Sequence, residues 1–275
     1  MKLGLLTVAL AACVGCGKAS TTSPTPPGAH EGAPSAHVGL PRAWPEIVPR
    51  TSFIAARASR DIGIDAISAT GVDLNFYRQL VRNGLEAPGN LEAVRRWTTP
   101  PLIYLKTVDE TGVPIDPAML ETTARTIIDS AALWTGGRFG VAGLQQGIDT
   151  RRGQAGWITV RWPGKAGADR VCGLADVAQS GGVIDLFVPT STACGCSGST
   201  RIRPRVIRHE LGHAFGFFHT DNASDVMTAR SGTCDGQPSP RERAAAAVAY
   251  GRPAGNIDPG VDPSGAVSLT PLVAR

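Results

Sequence analysis

The chain has 275 residues, 42% of them hydrophobic, 5% aromatic and 18% charged, with a net charge of +4. Its basic residues are scattered without a basic block, which argues against a nucleic-acid surface. No phosphate-binding Gly motif and no internal repeat stands out, and no long apolar span follows the first residues, so a nucleotide site, a solenoid and a membrane-spanning bundle are not indicated.

Residues 1–13 join one positive charge to a short apolar run and then small residues, the pattern of an export signal too short to span a membrane as a helix. Leu10-Ala11-Ala12-Cys13 is similar to the bacterial lipobox, in which cleavage precedes a Cys that then carries lipid. That resemblance makes Cys13 the candidate lipidation site and residues 1–12 the signal peptide. Cys16 is a second candidate acceptor, and an ordinary cleaved secretory signal is the alternative. Residues 13–49 are rich in Ser, Thr, Pro, Gly and Ala and cannot bury enough apolar surface to offset their ordering entropy. They read as a disordered tether, with His30 and His37 solvated.

Residues 50–96 regain structure as an amino-terminal prefix or a prodomain, with a helix predicted over Leu74–Arg82, apolar on one side and arginine-bearing on the other. Leu102–Thr107 has the short apolar character of a strand. Asp116-Pro117 opens a helix running to about Trp134, where Gly136-Gly137 stops it; Met119, Ile127, Ile128 and Leu133 are placed to face a sheet. Further strands are predicted over Val141–Ile148, Trp157–Trp162 and Val183–Val188.

The informative stretch is His209-Glu210-Leu211-Gly212-His213-Ala214-Phe215-Gly216-Phe217-Phe218-His219. His209 and His213 are four apart, so on a helix they lie about 40° apart around the axis and can share one ion. Glu210 is offset around the helix, placed to act as a base rather than a ligand. Gly216 can take a positive φ, end the helix and turn the chain so that His219 supplies a third imidazole. Three His ligands leave one position of a tetrahedral zinc site open, as catalytic sites do. The His-Glu-x-x-His core arises by chance in roughly three of a thousand chains of this composition, and the added Gly and His make accident rarer by a few hundredfold.

His-Glu-x-x-His-x-x-Gly-x-x-His followed by a nearby Met resembles the signature of the metzincin zinc endopeptidases. Met227, eight residues after His219, stands where the family has its Met-turn, and this short spacing is most similar to the matrix metalloproteinase (matrixin) group. The resemblance implies an α+β zincin fold: a twisted mixed β-sheet, a zinc-binding active-site helix, a Met-turn whose Met floors the three histidines, and a carboxy-terminal helix. It also implies one catalytic Zn2+ on His209, His213 and His219, with Glu210 taking a proton from the attacking water and passing it to the leaving amine. Protein or peptide substrates would pair with an edge strand. Two departures matter. Ala229 stands where astacin-like relatives have a Tyr, and no Cys has the context of a matrixin cysteine switch. Ca2+, bound by many relatives, is left open, since no carboxylate-rich loop stands out.

Cys172, Cys194, Cys196 and Cys234 form an even set in an exported chain, which favours two disulfides. Neighbours two apart rarely bond each other, so Cys194 and Cys196 each reach a distant partner, one Cys172 and the other Cys234, with the pairing open. A thiolate metal site is the alternative. Ser239-Pro240-Arg241-Glu242 caps a last helix to about Tyr250, which closes a catalytic domain of 97–251, and residues 252–275 read as a flexible tail. The expected protein is therefore a monomeric zinc endopeptidase, lipid-anchored to a bacterial envelope or secreted. The alternative is a catalytically silent zinc-containing surface binding protein or adhesin on the same fold.

Overall fold

Asp73 accepts hydrogen bonds from the N–H groups of Asn75 and Phe76 and so starts α1 (Leu74–Arg82). This computed structural model describes residues 73–164, 171–189, 194–195, 201–229 and 234–258. The export signal with Cys13 and Cys16, the tether, residues 50–72, Cys196 and the chain beyond 258 lie outside the described residues. Contacts divide the chain into 1–43 and 44–275, and every described residue falls in the second unit.

The apolar side of α1, Phe76, Tyr77, Leu80 and Val81, is buried in the same core as the sheet and the later helices. The described part of the predicted prefix is thus an integral part of the folded unit. The division of arginines to the outer side of α1 holds only in part. Arg82 is buried, and each of its three guanidinium nitrogens has an acceptor: Nη1 meets Asp258 at 3.0 Å, Nε the Glu92 carbonyl at 2.8 Å and Nη2 the Leu91 carbonyl at 3.5 Å.

Five strands follow: β1 (Leu102–Lys106), β2 (Gly143–Gly147), β3 (Trp157–Arg161), β4 (Gly173–Ala175) and β5 (Val183–Leu186). They form one sheet in the order β2-β1-β3-β5-β4, parallel throughout except that β4 runs antiparallel to β5. Parallel neighbours need a crossover, and α2 (Pro117–Trp134) supplies it between β1 and β2. Asp116 caps α2 through Ala118 N–H at 2.8 Å, and Pro117 fills its first turn, where no intrahelical donor is needed. The buried stripe of α2 runs Leu120, Ala124, Ile127, Ala131, Trp134, at spacings of four and three. Ile128 and Leu133 fall off that stripe and are only half-buried, a correction to the face expected from sequence.

β4 was not foreseen, because Gly-Leu-Ala carries no apolar run. The predicted Val141–Ile148 strand is shorter, since Ile148 is exposed beyond the end of the sheet.

The two remaining helices among the described residues are α3 (Pro204–Ala214) and α4 (Pro240–Gly251). α3 packs on α2 and on the β5–β4 side of the sheet. Its backbone carbonyls meet three buried aromatic side chains. Trp134 Nε1 donates to Arg208 O at 3.1 Å, Trp97 Nε1 to Ala214 O at 2.8 Å, and Tyr250 Oη to Phe215 O at 2.8 Å. Each indole or phenol buries its ring and gives its polar tip an acceptor; for Trp97 and Tyr250 that acceptor is a carbonyl that the helix end leaves unpaired, and for Trp134 it is one within the helix. α4 starts with a capping box between Ser239 and Glu242.

The loose tail expected from residue 252 is tied down over its first seven residues. Asn256 is buried, its carbonyl accepts from Val94 N–H at 2.9 Å, and Asp258 pairs with Arg78 at 2.7 Å and Arg82 at 3.0 Å.

Candidate metal centre and its carboxylate

α3 delivers His209, Glu210 and His213, one turn separating the two imidazoles. After Ala214 the chain turns at Gly216 with φ +108°, and a Cβ there would lie 2.1 Å from the Arg95 carbonyl oxygen. Only glycine suits the position, on both conformation and space. The turn brings His219 back, and the three Nε2 atoms lie 3.1, 3.2 and 3.2 Å from one another.

Each Nδ1 is occupied on its far side. His209 Nδ1 donates to the Val226 carbonyl at 2.8 Å, His213 Nδ1 to the Phe217 carbonyl at 2.7 Å, and His219 Nδ1 to the Glu86 carboxylate. A carbonyl oxygen cannot donate, so the ring protons of His209 and His213 belong on Nδ1 and their Nε2 lone pairs face the common centre. Three such nitrogens repel one another unless a cation lies among them. The three histidines could hold a metal ion. Zn–N bonds of about 2.0–2.1 Å in a tetrahedron need nitrogens about 3.3–3.4 Å apart, a few tenths of an ångström from the observed triangle. Zinc fits the donor set, and the three ligands leave a coordination position over.

Glu210 is buried, and burial pushes its carboxyl up to about 8, with the charge of Asp185 on β5 adding to the rise. Burial pulls His213 down to about 4, helped by the neighbouring His219, and His209 falls well below its ordinary value for the same reasons. These directions belong to the chain without a cation. A divalent charge at the Nε2 atoms reinforces the neutral imidazoles and draws Glu210 back toward its ionised form.

Glu210 lies against Gly173 on β4: a Cβ on Gly173 would stand 2.5 Å from Glu210 Cγ and 2.6 Å from Oε1. The missing side chain leaves room for the carboxylate beside the strand that ends the sheet. Met227 is fully buried and its sulfur lies 2.4 Å from where a Cβ on Gly212 would be. It therefore packs on α3 between the two ligand positions of the helix.

The loop carrying Met227 hangs on two buried carboxylates. Glu242 accepts from Val226 N–H at 3.1 Å, Met227 N–H at 2.8 Å and Ser239 N–H at 2.6 Å. Burial outweighs those donors and raises its pKa. Asp225 accepts from Thr220 Oγ1 and Ser239 Oγ, each at 2.9 Å, and from Arg241 through two nitrogens. Sequence reasoning saw Glu242 only as a cap and missed Asp225 and Glu86. The capping pattern was a partial signal for the first; nothing local marks the other two.

Cys172 and Cys194 form a disulfide that ties the start of β4 to the segment before α3, selecting one of the two pairings left open. Cys234 is also disulfide-bonded. Oxidised sulfurs are not thiolate ligands, so the thiolate metal site is set aside for these three cysteines.

No protein-family model matches the chain. No curated protein matches it. Among solved structures it is similar to metalloproteinase-II from Bacteroides fragilis, with a TM-score of 0.33 and 14% identity over 53% of this chain and 50% of that one. The chain thus spans about half the length of that protein. A likeness this low carries nothing for function, which rests on the geometry of the centre itself.

Proposed function

We propose that the chain is a zinc-dependent endopeptidase of the metzincin kind, nearest in its motif spacing to the matrixin group, with Met227 as its Met-turn methionine. The observation that carries this reading is the convergence of three Nε2 atoms within 3.2 Å beside a buried glutamate that none of them engages. His209, His213 and His219 would hold the ion. When bound, zinc supplies a Lewis acid that polarises a carbonyl and lowers the pKa of water to about 7.

The chain's own groups supply the rest. Glu210 takes the proton of the attacking water and returns it to the leaving amine, a general acid–base role that suits a carboxylate buried next to a divalent charge. β4 ends the sheet beside Glu210, so its outer backbone groups can pair with an extended peptide and lay the scissile bond across the centre. Leu174, exposed on β4, offers that peptide an apolar contact. The substrates on this reading are proteins outside the cytoplasm, and Cys13 is the lipid attachment that keeps the enzyme at the envelope.

Metal removal tests the reading. The purified protein should carry one zinc per chain and cleave an unfolded protein substrate; a chelator should stop cleavage, and added zinc should restore it. Cleavage that persists in protein stripped of metal would overturn it.

A further inference from the structure

We propose that residues 73–92 hold the third metal ligand in place and that Glu86 is a positioning residue for His219. The inference rests on the metal centre proposed above and concerns how that centre is kept assembled.

His209 and His213 are fixed by the helix that carries them, and their carbonyl partners lie 17 and 4 residues further along the chain. His219 lies past the Gly216 turn and has no helix to hold it. Thr220 N–H donates to the Met227 carbonyl at 3.0 Å, and the rest of the support for His219 comes from far back in the chain. Phe218 N–H donates to the Leu80 carbonyl of α1 at 2.7 Å. Asp221 Oδ2 accepts from Gln79 Nε2 at 3.2 Å. Between those two anchors the imidazole Nδ1 meets the Glu86 carboxylate. Asp221 N–H also donates to Gln79 Oε1 at 3.4 Å, so residues on both sides of His219 are bound to α1, and the ring itself to the loop that follows α1.

That loop is built to present Glu86. α1 ends at Asn83 in the left-handed conformation, φ 56° and ψ 30°, and Gly84 N–H closes back on the Arg78 carbonyl at 2.8 Å. The reversal sends Leu85 and Glu86 toward His219. The far end of the loop is fastened by Glu92 N–H to the Arg82 carbonyl at 3.0 Å, by Arg82 Nε to the Glu92 carbonyl at 2.8 Å, and by Asn83 Nδ2 to Glu92 Oε1 at 3.1 Å.

A half-exposed ion pair between Glu and His contributes little to folding on its own. A carboxylate on the outer nitrogen of a metal-bound imidazole does something different. It fixes the tautomer, aims the lone pair and raises the basicity of the ligating nitrogen, and loss of such a partner typically costs 10–100-fold in metal affinity. Glu86 has half its side-chain surface in water, so its removal leaves no buried hole. A cut that released the chain up to residue 92 would remove this carboxylate together with the anchors of Phe218 and Asp221.

The test is zinc affinity, read by competition against a chromogenic chelator, for the full chain and its Glu86→Ala and Glu86→Gln variants. Glu121→Gln, which deletes the same charge from the exposed pair with Arg125, is the control. Glu86→Ala should bind zinc about 10–100-fold more weakly, Glu86→Gln should fall between it and wild type because it keeps an acceptor without the charge, and Glu121→Gln should match wild type. The thermal midpoint of the metal-free protein should be the same in all four. Wild type binding one zinc while both Glu86 variants bind it equally well would overturn the inference and leave the metal centre standing. A fall in metal-free thermal midpoint that tracks the fall in affinity would assign Glu86 a structural role and overturn it too. Wild type that binds no zinc would remove the metal centre and this inference together.

Discussion

Two glycines show how closely the centre is fitted at the level of single atoms. Gly212, between the helical ligands, leaves its space to the Met227 sulfur and to Trp134, and Gly173 leaves its space to the Glu210 side chain. The second makes a sharp expectation. In Gly173→Ala the new methyl must push the Glu210 carboxylate aside, because the contact would be 2.5 Å to Cγ. Misplacing a catalytic group by about 1 Å can cost about 10²-fold in rate. Peptide hydrolysis in Gly173→Ala should therefore fall on that order while bound zinc, measured by elemental analysis, stays at the wild-type level. Wild-type activity in that variant would mean that Glu210 does not work from this position. The convergence of the three histidines and the place of Glu210 on the same helix were legible in the sequence because helical spacing and the Gly216 turn are local rules. Glu86 was not, since it lies 133 residues before His219 and sits in an ordinary surface loop.

Among elements, those with chemical punctuation were read well. Asp116-Pro117 and Ser239-Pro240 with Glu242 mark the starts of α2 and α4, where a side-chain oxygen replaces the missing intrahelical acceptor. β4 carries no such mark, and its existence depends on pairing with β5, a tertiary fact. The capping box of α4 also does more than start a helix. Glu242 holds the backbone of Val226 and Met227, and the Val226 carbonyl in turn orients His209. Glu242→Ala would leave the buried N–H groups of Val226 and Met227 and the part-buried one of Ser239 without this acceptor, at about 1–3 kcal/mol for each buried group. Denaturant unfolding of the metal-free protein should show a loss of about 2 kcal/mol or more, and zinc binding should weaken with it. Stability within 0.5 kcal/mol of wild type, the usual range for an inconsequential surface change, would contradict this support.

Among the described residues, one hydrophobic core joins α1, the sheet and the three later helices, so residues 73–96 and the stretch that carries the three histidines belong to one body. Sequence patterning could not show this, because amphipathicity tells which face is buried and not against what. The lipid anchor proposed at the amino end can be tested apart from catalysis: Cys13→Ser should release the protein from the membrane fraction or leave its signal uncut, and unchanged membrane association would refute Cys13 as the attachment. The claim on which the account stands is that Glu210 moves the proton while the three histidines hold the metal. Glu210→Ala, compared with wild type at equal zinc content on an unfolded protein substrate, tests it most directly. The account predicts one zinc per chain in both and hydrolysis slower by about 10²–10⁴-fold in the variant. A Glu210→Ala protein that keeps its zinc and cleaves at the wild-type rate would contradict it.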